Sequence, residues 1–162
     1  MNSFYPDAVK SWNNLGDEFS SCNSIKIFKN NMNNLIRPLS KPVFSIYDPK
    51  GLKYLFQLRV SLSALKYHKK RHNFADTPFD WCNCNCAPED TCHFLFHCNL
   101  YVLQRRNLVN SVTQILLPYP DVNIVENTDV FLYGHPPLSN HDNRLILLST
   151  IKFIKDTGRF NM

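Results

Sequence analysis

Along most of this chain, apolar residues recur at intervals of three and four. That is the period of an amphipathic helix, not of a strand. Asp7 can cap a short helix carrying Val9, Trp12 and Leu15, with Gly16 ending it. Ser24 can cap a second, whose stripe is Ile25, Phe28, Met32, Leu35 and Ile36 and which stops before Pro38. Residues 37–51 carry three prolines and end on a lysine and a glycine, which predicts an extended connector with a short strand at Val43–Tyr47. From Leu52 the helical spacing returns through Leu55, Leu58, Leu62 and Leu65 and leads into a basic end at 66–72. The longest such pattern runs from about Thr91 to Leu117, with Pro88 or Asp90 to start it and Pro118 and Pro120 to end it. Val130–Gly134 fits either a strand or a turn of helix. Leu145, Ile146, Leu148, Ile151 and Ile154 mark a last helix, capped by Asn140 or Asp142, with Gly158 at its C′ position. The fold class expected is therefore mainly α. It has an N-terminal helical segment (1–37), a connector (38–51) and a small helical domain (52–160) with a Cys/His zinc-knuckle-like insertion at 81–98. At most one or two short strands are expected.

Composition supports a packed domain. The 162 residues are 44% hydrophobic and 13% aromatic, enough for a core. Only four glycines are present, which argues against a phosphate-cradling glycine loop. The first ten residues lack the apolar core of a signal peptide, and no run approaches the roughly 18 apolar residues of a membrane span. An intracellular location (cytoplasm, nucleus or both) is expected, and no membrane partner. In such a reducing compartment clustered cysteines bind metal more often than they form disulfides.

The net charge is +5 and unevenly placed. No acidic residue lies between Asp48 and Asp76, an interval holding seven lysines and arginines. A field of one sign favours a polyanion. Arg59, Lys66, His68, Lys69, Lys70 and Arg71 are the expected contacts to an RNA or DNA backbone, although a solvated basic face or a helix C-terminus complementing its dipole would also use such lysines.

The chemistry concentrates at Trp81–Cys98, W-C-N-C-N-C-A-P-E-D-T-C-H-F-L-F-H-C, which holds five of six cysteines and two of six histidines. The best ligand set is Cys82, Cys84, His93 and Cys98, spaced C-x-C-x8-H-x4-C. Three thiolates and an imidazole suit zinc, and four protein ligands close the shell, which marks a structural site. C-x-C demands a tight turn. On a regular helix His93 and Cys98 would lie about 140° apart around the axis. Either the helix begins irregularly or His97 replaces Cys98; Cys86 and Cys92 are spare thiols, and Cys22 is remote. An open catalytic zinc would need a general base; Glu89 is the nearby carboxylate, with nothing in the sequence to fix it. The order of a zinc deaminase motif is absent. Phe74-Ala75-Asp76 is followed by Thr77, so it lacks the paired aspartates of two-metal phosphoryl transfer. No enzyme activity is expected.

These residues resemble a family, the C-terminal segment of LINE-type (non-LTR) retrotransposon reverse transcriptases. The likeness is carried by Leu58, Arg59, Ser63, Leu65, His68 and Lys69; by His72, Asn73, Phe74, Asp76 and Thr77; and by Cys82, Cys84, Glu89, Thr91, His93, Phe94, Leu95 and Cys98. Trp12 to Leu15, Ile27 to Lys29, Leu132 to Gly134 and the closing stretch from Phe153 to Phe160 also look similar. Asp90 departs from the family's usual Ser or Thr, and Cys86 and Cys92 are extra. The resemblance implies a zinc-stabilised, nucleic-acid-binding tail of a larger polymerase polypeptide, whose catalytic core is missing here. The alternatives are a zinc-folded protein-interaction module and a retroelement remnant without function.

Overall fold

The computed structural model describes residues 42, 43 and 45–160. The helices expected after Asp7 and Ser24, the upstream Trp12 and Phe28 elements, Cys22 and the start of the connector (38–41) lie outside the described residues. What is described is mainly helical, and its β structure is one isolated antiparallel bridge between Trp81 and Pro88.

Helix α1 (Pro49–Arg59) starts three residues earlier than its leucine stripe suggests. Asp48 caps it by accepting from the Gly51 amide at 2.9 Å, and Pro49 sits at the first turn, where its missing N–H costs nothing. Gly51 is required by close approach: a Cβ there would collide with Ile151 Cγ2 and the Asp48 carboxylate. The strand expected at Val43–Tyr47 is not formed among its described residues. Pro42 and Val43 are helical, and Ile46 turns back to donate its amide to the Val43 carbonyl at 3.1 Å. Val43 and Ile46 are both buried, a period of three instead of two.

The single helix expected from Leu52 to His72 is two. Ser61 adopts φ 55°, which breaks the helical ladder, and α2 (Lys66–Arg71) begins afresh. Its first amide, Lys66 N, donates to Glu89 Oε2 at 2.8 Å, so a carboxylate from the cysteine-rich loop caps it.

The long helix expected over Thr91–Leu117 is also divided. A π turn spans His93–His97, Cys98 is extended (φ −63°, ψ 120°), a 3-10 turn covers Asn99–Tyr101, and α3 runs Val102–Leu116. Val130–Tyr133 resolves as helix, within α4 (Thr128–Tyr133). The last helix, α5 (Asn140–Asp156), is capped by Ser139, whose Oγ accepts from Asp142 N at 3.1 Å. Asn140 and Asp142 thus lie inside the helix.

Helix α5 is the centre of the fold and packs against α1, α3 and α4. It buries Ile146, Leu147, Thr150, Ile151, Phe153 and Ile154, two flanks of one helix serving different neighbours. Thr150 removes its hydroxyl from the apolar interior by donating to the Ile146 carbonyl at 3.0 Å. Buried Asn143 staples the turn after α4: Oδ1 accepts from His135 N at 2.7 Å, and Nδ2 donates to the His135 and Leu138 carbonyls. Gly158, at φ 65°, reverses the chain beyond α5 and sends Phe160 back into the core.

Candidate metal centre

The loop Cys82–Pro88 is a compact turn. Cys82 N donates to the Ala87 carbonyl at 2.9 Å and Asn85 N to the Cys82 carbonyl at 3.0 Å. Asn85 takes φ 60°, a left-handed conformation that asparagine tolerates better than most residues. The turn brings together residues 82 and 84, which an extended strand would put on one face but hold about 6.6 Å apart.

Asp90 then starts a helical turn. Its Oδ1 accepts from His93 N at 2.7 Å, the geometry of an N-cap. His93–His97 form the π turn, closed by Cys98 N donating to the His93 carbonyl at 2.8 Å. An i→i+5 closure stacks residues five apart about one turn above one another, whereas an α-helix would separate them by about 140°. The π turn is therefore what brings His93 and Cys98 to one side. The Arg105 guanidinium holds its far end, with Nε donating to the Leu95 carbonyl at 2.8 Å and Nη2 to the Cys98 carbonyl at 2.6 Å.

The result is a cluster of Cys82, Cys84, His93 and Cys98 whose four ligand atoms all lie within 4.8 Å of one another and could hold a metal ion. Cys82 Sγ and Cys98 Sγ are 3.5 Å apart, and Cys84 Sγ is 3.1 Å from His93 Nε2. A tetrahedral zinc has edges of about 3.8 Å between sulfurs and about 3.6 Å from sulfur to nitrogen, from its bond lengths. The donor set and its spacing thus fit such an ion with small adjustments. Cys82, His93 and Cys98 are buried, and Cys84 is half-buried.

The thiols differ electrostatically. Burial, with the Cys84 and Cys98 sulfurs alongside, pushes Cys82 up to about 12, and burial raises Cys98. For Cys84 burial acts upward too, but hydrogen bonds from the Cys86 backbone and the Cys82 and His93 side chains outweigh it and bring the thiol down to about 6. A cation entering the cluster meets one thiolate and must displace protons from the two buried sulfurs.

The alternative ligands are placed elsewhere. His97 is exposed, its Nε2 3.3 Å from Glu126 Oε1. Cys86 is exposed and donates to the Cys84 carbonyl at 3.3 Å, and Cys92 is half-buried. Glu89, whose position the sequence left open, is fixed: it is 2% exposed and forms a two-pronged ion pair with Arg159, Nε to Oε1 and Nη2 to Oε2, each at 2.7 Å. Arg159 Nη2 also donates to the Ala64 carbonyl at 2.8 Å. This carboxylate is consumed by structure.

The basic residues separate into two groups. Arg59 is turned in, its Nε donating to the Leu132 carbonyl at 2.7 Å and its guanidinium 4.9 Å from the ring centres of Phe56 and Tyr133. His68 is buried between the Ser63 hydroxyl (Nδ1, 2.7 Å) and the Thr91 hydroxyl (Nε2, 3.3 Å). The other four stay at the surface. Lys66 Nζ donates to Asn83 Oδ1 at 2.6 Å, Lys69 pairs with Asp76 at 2.9 Å, Lys70 lies 3.5 Å from Asp80, and Arg71 is exposed.

Sequence reasoning missed Glu89–Arg159, Arg105 and the Ser63–His68–Thr91 chain. An Asp three residues before a ligand histidine is a readable cap signal; an arginine seven residues past the last ligand carries none. None of the described helices is long and apolar enough to cross a membrane. Comparison of the chain with protein-family models, with curated proteins and with solved structures finds no match.

Proposed function

We propose that this chain is a zinc-folded, nucleic-acid-binding module of the kind found at the C-terminal end of LINE-type reverse transcriptases, acting as part of a larger polymerase polypeptide. The observation that carries the metal half is the convergence of Cys82, Cys84, His93 and Cys98 within 4.8 Å. Three soft sulfurs and one imidazole nitrogen favour zinc over harder cations, and a four-ligand protein shell leaves no position for substrate. The ion would supply folding energy to residues 81–98, and this reading assigns the cluster no catalytic step.

The nucleic-acid half is supported by the acid-free interval before Asp76 and by the surface placement of Lys66, Lys69, Lys70 and Arg71. The family reading is supported by one long-range pairing. Glu89 and Arg159 both belong to the resemblance, and they meet in a buried ion pair. Asp90, the departure from the family's Ser or Thr, performs the capping role that those residues would. Exposed Leu100, Val102 and Leu103 favour a second reading, docking onto a protein partner.

The test has two arms. Elemental analysis should find about one zinc per chain, lost in Cys82→Ser and His93→Ala; a folded, metal-free protein would refute the metal half. Affinity for RNA or DNA should fall steeply with salt, by about 0.7 to 0.9 logarithmic units per phosphate contact for each decade of salt. Joint neutralisation of Lys66, Lys69, Lys70 and Arg71 should remove that dependence. Salt-independent binding, or capture of a protein partner that nuclease leaves intact, would favour the docking reading.

A further inference from the structure

We infer that the face beside the metal centre takes unpaired bases, so that the nucleic acid bound is single-stranded. This rests on the proposal that the chain binds nucleic acid and names the form of it. Three aromatic side chains stand out in water here: Phe74 at 51%, Phe79 at 70% and Trp81 at 51% exposure. They sit among the surface cations. Phe74 N donates to the Lys69 carbonyl at 3.1 Å, and Lys70 reaches Asp80, which lies between Phe79 and Trp81. Lys66 reaches Asn83, two residues past Trp81.

The segment from Phe79 to Asn83 alternates. Phe79, Trp81 and Asn83 are exposed, while Asp80 is half-buried and Cys82 is buried at the metal centre. That alternation is the period of extended backbone, so the two aromatic residues share the outward side. Residues two apart in a strand are separated by about 6.6 Å, close to two base-stacking steps of about 3.4 Å. The inward residues explain why the outward ones hold their place: Cys82 is tied to the cluster and Asp80 accepts the Glu89 amide at 2.7 Å. Nothing in the core requires Phe79 or Trp81 to be aromatic. A row of rings with cations beside it is the arrangement that holds single strands, in which every exposed base offers a face to stack on. The charge selects a polyanion over an apolar protein surface, since four cations here face two aspartates.

The experiment compares short fluorescent oligo-dT and oligo-U strands with a duplex of the same length, using the full chain loaded with zinc. Single strands should bind more tightly than duplex. Trp81→Ala and Phe79→Ala should each weaken single-strand binding by about 5- to 150-fold and leave duplex binding little changed. In a Trp12→Phe background Trp81 is the remaining tryptophan, and its fluorescence should be quenched by single strands and not by duplex. Equal binding of both forms, unaffected by the two alanine variants, would overturn this inference while leaving nucleic-acid binding standing. Binding of neither form, or binding of anionic vesicles alone, would overturn both.

Discussion

The residue that most changes the reading of this chain is Glu89. Its carboxylate joins three separate pieces: the loop that carries it, the first amide of α2 and Arg159 beyond α5. Removing one partner of a buried pair leaves the other charge without compensation, which costs about 3–5 kcal/mol. Glu89→Ala should therefore lower stability by that order in urea unfolding, and Glu89→Gln, which keeps an acceptor, by less. An Arg159→Met change in the Glu89→Ala background should recover part of the loss; a simple sum of the two losses would mean that the pair is not coupled. His68 makes the pH prediction. Burial holds it down to about 4, against an ordinary value of about 6.5 in the unfolded chain. Between those values the unfolded state takes a proton that the folded state refuses, so stability is full above about 6.5 and falls as pH drops toward 4. His68→Gln removes that titration. Its stability deficit relative to the parent should be largest near neutral pH and narrow toward pH about 5, with the metal ligands titrating equally in both proteins; a deficit constant across the range would show that His68 is not buried neutral.

At the scale of elements, the π turn decides which side chains can meet. Cys98→Ser should lower the thiolate-to-metal absorption of a cobalt-loaded protein, since one of three thiolates is lost, and shift its ligand-field bands, whereas His97→Ala should leave both unchanged; ligand-field bands that respond to His97→Ala and a charge-transfer band that ignores Cys98→Ser would place His97 in the shell. Arg105 touches no ligand atom, but it holds the Leu95 and Cys98 carbonyls where the π turn ends. Arg105→Ala should weaken metal affinity by about 10- to 100-fold, read by competition with a chromogenic chelator. Periodicity made most of these helices visible, because Leu55 and Leu58 in α1 and Ile151 and Ile154 in α5 do face the core. It could not show the breaks at Ser61 and at His93–Cys98, because an apolar spacing of three and four reads the same through a π turn as through an α-helix. Ser61 gave no warning either, since serine carries no fixed backbone preference of the kind glycine or proline does. Residue type and spacing brought the four metal-centre residues into view. The inward turn of Arg59 and His68 was hidden, because charge counts along a sequence do not say which cations the core will claim.

For the described part of the molecule as a whole, the question is whether the metal centre is an appendage or part of the core. Residues 93–98 serve both. His93 and Cys98 supply ligand atoms, while Phe94 and Leu95 between them are fully buried. The Phe94 ring lies 5.4 Å from Tyr101, 5.2 Å from Phe153 and 5.6 Å from Phe160, so it joins the knuckle to α5 and to the returning C-terminal segment. An ion that binds only the folded cluster adds its binding free energy to folding, about 4 kcal/mol at a thousandfold excess over its dissociation constant. Because the ligands and the core share one turn, that energy should reach the helices. Chelation should then lower the melting temperature of the whole helical signal in one transition. Conversely Phe94→Ala, a core truncation of about 3–5 kcal/mol, should weaken metal binding although Phe94 holds no ion. The two effects are the same coupling measured from opposite ends. A helical melting curve unmoved by chelation, together with undiminished metal affinity in Phe94→Ala, would instead make the knuckle an independent unit.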